Sequence, residues 1–451
     1  MGLYPAASED SPEEVVNRRP TLLVLAASLL VAGLLVSLVP RSRGGVLVTS
    51  AHAESSALYC SGLTSSQLGA QGTITIRNLS NSLRHLEITV HSDDGKSSSQ
   101  TAAVHAGDVT TIQPDSLATG HAFGVDIIAD GPGLAAVENT REGHATAPCV
   151  ASGSSKSLFA GLSTVVGTDT YLNLYNPTAT PAVTNLSVYT AAGFSAPTAL
   201  QGITVAGHAL YSVELGSHVV NTSNFAVLSR VVHGQLLSVA TMTGGSLPSL
   251  ITPTTSTRKL TLPAVTTADQ ATSVIQFANT SDKEATVTAK FSLGDFQVAP
   301  QTVQVLPFST ASLTVSPNSA IPAAGNAIVS LTSTAPVGVS LGVGTQGHLA
   351  VTSPPRPRTS TLVSDVYGDG FDFVTVLNPN SVSVSLTVRP LGAAATRRFE
   401  IQPGHSVSLT EGVPWGSVAA GTLQLTSTSP GVIVTGAWKT KPAGIGLTTG
   451  Y

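Results

Sequence analysis

Histidine is the residue type most unevenly placed along this chain. Five of the eleven, His85, His91, His105, His121 and His144, fall in one stretch. Imidazoles at the right separation ligate zinc. His85, Glu87, Thr89 and His91 share one face of a strand pattern, opposite Leu86, Ile88 and Val90. His85 and His91 are six positions apart, about 20 Å along an extended chain, too far for one ion. The face therefore reads as solvent-facing, and no metal site is assigned. Asp365, Asp369 and Asp372 surround Gly368 and Gly370; oxygen-rich loops bind calcium, but this spacing is not that of an EF-hand and fits a plain turn. Ser256 and Lys259 form a Ser-x-x-Lys without the partner motifs of a hydrolase. No Gly-x-Ser-x-Gly elbow, phosphate loop or dinucleotide fingerprint occurs. Trp415 and Trp438 are the only tryptophans; paired aromatics can stack on a sugar, so they are possible ligand contacts, with core packing as the alternative. Asn78, Asn185, Asn221 and Asn279 stand in Asn-x-Ser triplets, which matter only on a eukaryotic secretory route. The sequence thus implies no catalytic residue, no cofactor and no enzyme.

The elements that carry these residues repeat. Four alternating strands end in Asn: Thr73–Asn78, Tyr171–Asn176, Val274–Asn279 and Phe373–Asn378. The positions two and four before each Asn are apolar (Ile76 and Ile74, Leu174 and Leu172, Phe277 and Ile275, Val376 and Val374), so the same face turns inward each time. Turn residues follow, and Asn at a strand end closes an Asx-type turn. Asn78, Asn176, Asn279 and Asn378 are therefore read as structural terminators rather than ligand-binding amides. Another alternating strand, a Gly-bearing turn and a Gly or Pro corner (Gly107, Gly207, Pro307, Pro403-Gly404) come next. The last strand pair is expected to flank a turn, at Ser333–Pro336 in the third copy and Ser427–Pro430 in the fourth.

About seven short strands per copy, with turns every eight to twelve residues, fit an immunoglobulin- or fibronectin-like sandwich. The expected fold class is all-β after one N-terminal transmembrane helix, with four tandem sandwiches at 58–150, 158–252, 260–350 and 361–451. Two larger double domains are the main rival. Ser/Thr/Pro joints at Ser152–Ser157, Pro253–Thr257 and Ser353–Ser360 read as linkers. Cys60 and Cys149 lie near the two ends of the first copy and read as a disulfide. Closing that loop would stabilise the fold by roughly 4–5 kcal/mol in the chain-entropy model.

Residues 1–20 read as a cytoplasmic tail and Thr21–Val39 as an uncharged apolar span flanked by Arg18, Arg19, Arg41 and Arg43. Nineteen residues at about 1.5 Å each reach roughly 28 Å, close to the hydrocarbon thickness of a bilayer. Residues 40–57 read as a linker. Ala51-His52-Ala53 offers a cleavage site, so secretion after Ala53 is the alternative to a single-pass anchor. The Ser, Thr, Gly and Val-rich remainder, with its cysteine pair, is placed outside the membrane. Only 10% of residues are charged, with a formal net charge of −4; this excludes nucleic acid as a partner, because phosphate neutralisation needs a basic stripe.

The anchor, the apolar-x-apolar-Asn-Pro strands (Asn176-Pro177, Asn378-Pro379) and the Pro403-Gly404 corner resemble an uncharacterised family of actinobacterial membrane-anchored extracytoplasmic proteins. The resemblance spans residues 58–451, and the first and third copies lack the Pro after Asn. It implies a cell-envelope setting near glycan assembly and no known activity. The expected function is a non-catalytic scaffold or adhesion module whose partners are envelope proteins or cell-wall glycan. The alternatives are a carbohydrate- or peptidoglycan-binding accessory protein and, behind it, a hydrolase.

Overall fold

A computed structural model describes residues 46–49, 55–64, 72–140, 145–243, 249–267, 272–293, 298–318, 321–322, 326–345, 348–354, 357, 360–366, 373–390, 396–410, 421–428, 431–440 and 444–449. The anchor expected at 21–39 and the cleavage site at Ala53 lie outside the described residues. Among the described residues no helix is long and apolar enough to cross a membrane.

The protein is all-β, built from several sheets. In the first repeat the strands are Ala57–Thr64, Gly72–Asn78, Arg84–Ser92, Ser97–Val104, Val109–Ile112, Ala122–Ala129, Leu134–Thr140 and Thr146–Pro148. One sheet orders them first, sixth, third, fourth; the other orders them fifth, second, seventh, eighth. Between Lys156 and Ile251 and between Ser360 and Thr449 the strands pair in the same relative order, with Ile203–Val205 added beside Ala182–Thr190 in the former and Val46–Thr49 beside Ser360–Val366 in the latter; between Thr257 and Thr352 the long strand Asn326–Thr345 joins the pairings into one seven-stranded sheet. Alternation explains the layering: Gly72–Asn78 is buried at every second residue, and Ile74 and Ile76 join Leu86, Ile88, Phe123, Val125 and Ile127 of the facing sheet in one core. Separate cores of the same kind form in the second, third and fourth repeats.

Three details differ from the sequence reading. Among the described residues the first and fourth repeats have eight strands, the second nine and the third seven, against about seven expected, and their order is not the ABED/CFG order of a constant-type immunoglobulin domain. In the first repeat the first strand lies beside the sixth and the seventh beside the second; alternation fixes which face is buried but not which strands are neighbours. The turn expected at Ser333–Pro336 is absent, and Asn326–Thr345 is one strand. Its first half pairs with Thr257–Thr266 and Ala285–Ser292, its second with Thr272–Asn279 and His348–Thr352, so it passes from one sheet to the other. The expected linker at 40–57 contains the strand Val46–Thr49, which pairs antiparallel with Thr361–Ser364 of the fourth repeat.

The joints are packed rather than free. Ser154 bridges to Leu236 and Thr254 to Leu158. Val351 N–H donates to Ser249 Oγ at 2.9 Å, and the Ser353 hydroxyl donates to the Thr252 carbonyl. Val351 belongs to the core of the second repeat although it sits on the last strand of the third. The first three repeats therefore share buried surface at their joints, and the Ser/Thr/Pro segments beside those joints place backbone polar groups on neighbouring strands.

Candidate functional site

The four repeated asparagines are fully buried, each in its own repeat. Asn78 Nδ2 donates to the carbonyls of Ser82 (2.7 Å) and Val104 (2.9 Å), and its Oδ1 accepts from Ser80 N–H (2.9 Å) and Ser80 Oγ (2.7 Å). Asn176 does the same with Thr180, Val205 and Thr178. Asn279 uses Lys283, Val305, Leu306 and Ser281. Asn378 uses Val382, Ile401 and Asn380. Each amide ties the end of the second strand to the turn after it and to the end of a strand two connections later, or three for Asn176. Both donor hydrogens and both acceptor positions are used inside the protein, which leaves nothing to offer a ligand. Cys60 and Cys149 are both buried and form a disulfide.

A cavity of about 300 Å³ opens at the joint of the first two repeats. Tyr59, Ser61, Val239, Thr252 and Pro354 contribute to its walls, together with Glu138. Glu138 lies on Leu134–Thr140, a strand buried along its whole length. The opposing first strand slips register between Cys60 and Leu63. That bulge frees the amides of Ser61 and Gly62, which donate to Glu138 Oε1 (2.5 Å) and Oε2 (2.6 Å). Burial pushes the Glu138 carboxyl up to about 8, against the opposing pull of the two amides. The same wall presents the hydroxyls of Tyr59, Ser61 and Thr252 beside apolar surface from Val239, Leu236 and Pro354.

The other residues singled out in the sequence are scattered. His85 is exposed and shares a 2.9 Å contact with Asp130. His121 is exposed 3.6 Å from Asp93, and His105 is exposed. His144 lies outside the described residues. His91 points elsewhere: it is 7% exposed and lies under Tyr175 and His208 of the second repeat. The solvent-face reading of that strand thus holds for His85 and fails for His91. Sequence reasoning also passed over Asp126, Tyr175 and His208, which no linear spacing connects to His91. Lys259 is exposed at the start of Thr257–Thr266. Asp365 lies on Ser360–Val366, and Asp369 and Asp372 lie outside the described residues. Trp438 lies on Ile433–Thr440 opposite Gly446, and Trp415 lies outside the described residues.

A family of unknown function, DUF5719, matches residues 138–412, more than half of the chain. The chain belongs to this family. The match begins at Glu138 and runs into the fourth repeat. No curated protein matches the chain. A crystal structure described as a tetra-tandem repeat in the extending region of a large adhesion protein is similar over 87% of this chain and 97% of its own, at 13% identity and a TM-score of 0.12. At that score the likeness carries no argument about this DUF5719 protein.

Proposed function

We propose that this DUF5719 protein is a non-catalytic, membrane-anchored, extracytoplasmic repeat protein of the bacterial cell envelope that acts as a scaffold or interaction module. One observation carries the reading. The buried asparagine and its turn recur in all four repeats, while the buried carboxyl of Glu138 does not, its register position being taken by Ala240, Leu341 and Gly436 in the other three. A fold that keeps its staples and not that carboxyl is built to hold position. Large apolar side chains stand exposed on it: Val166 and Val220 are 92% and 76% exposed on loops joined by the Thr164 N–H bond to the Thr222 carbonyl. Such side chains are natural contacts for a protein partner. The carbohydrate-binding alternative uses Trp415 and Trp438. The test is a glycan array and a peptidoglycan pull-down with full-length protein, run beside an unbiased hydrolase screen. The scaffold reading predicts no turnover. Turnover abolished by a single polar substitution overturns it, and glycan binding lost in Trp415→Ala or Trp438→Ala favours the accessory-protein alternative.

A further inference from the structure

His91, Asp126 and His208 meet at the joint of the first two repeats. Their ligand atoms (His91 Nε2, Asp126 Oδ2, His208 Nδ1) lie within 4.8 Å of one another. Oδ2 is 3.5 Å from His91 Nε2 and 3.6 Å from His208 Nδ1. A tetrahedral ion with bonds near 2.0 Å needs donors about 3.3 Å apart, so the set is close to a ligating geometry.

The surroundings orient these atoms as ligands are oriented. Tyr175 O–H donates to Asp126 Oδ1 at 2.5 Å, which leaves Oδ2 for the cluster. His91 Nδ1 shares a 2.8 Å hydrogen bond with Ser97 Oγ, which fixes the ring and turns Nε2 inward. Engagement of the outer nitrogen is the usual arrangement around a ligating imidazole. His91 Nε2 is buried and has no hydrogen-bond partner, and an unsatisfied buried polar atom is costly. Both ion-pair partners that the described residues give Asp126 are imidazoles. His208 is half-exposed, so the cluster has an open side.

The fold does not require polar groups here. The next joint uses the same positions. His91 pairs with Gly124, and Tyr189 with Ala226; two residues on, Asp126 corresponds to Leu228. Tyr175 and Ala278 both precede the repeated Asn. His208 and Phe308 immediately precede the strands Ala209–Glu214 and Ser309–Val315, at φ +50 and +51. At the second joint these positions make an apolar contact: Tyr189, Leu228 and Ala278 fall in one buried cluster, and Phe308 packs on Phe194. A joint that closes with hydrocarbon in one place carries two imidazoles and a carboxylate in the other.

We propose that His91, Asp126 and His208 bind a divalent transition-metal ion of the zinc type, which ties the first repeat to the second. Two nitrogens and one carboxylate suit zinc and its neighbours, whereas calcium and magnesium take oxygen sets. A fourth position remains for water or a partner's donor.

The test is calorimetric titration of chelator-stripped full-length protein with Zn²⁺, repeated with Co²⁺ to read its ligand-field absorption. Wild type should take up one ion per chain and unfold at a higher temperature with it. His208→Asn keeps a residue that tolerates left-handed backbone; it and Asp126→Asn should abolish stoichiometric uptake. Tyr175→Phe should weaken affinity about tenfold, and His85→Ala should leave it unchanged. Absence of uptake by wild type, or one-to-one uptake surviving in His208→Asn, would overturn the proposal.

Discussion

Replacing Glu138 by glutamine isolates the cost of burying a carboxyl group. In the folded protein this carboxyl is fully buried and titrates near 8. Unfolded, it returns to its ordinary value of 4.5. Between those pH values the folded state keeps a proton that the unfolded state has released. Stability therefore falls as pH rises through that window, by roughly 1.4 kcal/mol per pH unit and about 5 kcal/mol in all. Glutamine has no such linkage. It keeps one acceptor oxygen for the two amides of Ser61 and Gly62, so it loses about 1–3 kcal/mol at every pH. Wild type should be the more stable protein at pH 5 and Glu138→Gln the more stable at pH 9, with the curves crossing between. Both tryptophans lie in the fourth repeat, so their fluorescence does not report on the first. Peptide-level hydrogen exchange of Leu134–Thr140, corrected for intrinsic rates, does. Two curves that stay parallel from pH 5 to pH 9 would refute the reasoning, because they would mean that Glu138 titrates alike in both states.

Other substitutions address the staples and the joints. Asn279→Ala removes the side chain that satisfies the Lys283, Val305 and Leu306 carbonyls and should cost about 3 kcal/mol, read as faster exchange in Thr272–Asn279; Asn279→Asp should cost more, because it places an anionic oxygen against those carbonyls. Gly161→Ala should cost about 2–4 kcal/mol, because a Cβ there would stand 2.1 Å from Gln276 Oε1 and 2.2 Å from Ser340 Oγ at φ +77; a lowered unfolding midpoint with faster exchange in both Lys156–Leu162 and Thr272–Asn279 is the expected signature. Cys149→Ser should cost roughly 4 kcal/mol and confine its effect to the first repeat, and unreduced peptide mapping of wild type should show Cys60 joined to Cys149.

The repeated strands were legible because alternation and a terminal Asn are local signals. Ile74 and Ile76 declare which face is buried, and Asn78 declares where the strand stops. What stayed hidden was set by contacts distant in sequence. The short last strands of the repeats, such as Ser249–Ile251, are three to six residues long, too short for a period to show. Pro336 suggested a turn, yet it sits in a strand where the chain changes sheets. Ser353 looked like linker, but its hydroxyl has the Thr252 carbonyl as partner and it is buried. The His91 cluster was the hardest to foresee. His91 stands on a face whose neighbours His85 and Glu87 are exposed, and it is covered only because Tyr175 and His208 arrive from the next repeat. Glu138 gave no warning either, since its place depends on a bulge in a strand some seventy residues earlier.

The scaffold reading is tested most directly by photo-crosslinking in native membranes, with a photoreactive residue placed at Val166 and, separately, at Val220. The account predicts a discrete, reproducible set of envelope partners captured from both positions by the full-length protein, and none captured from a buried control position such as Val227. Absence of any partner at either exposed position, together with catalytic turnover by the same preparation, would contradict it.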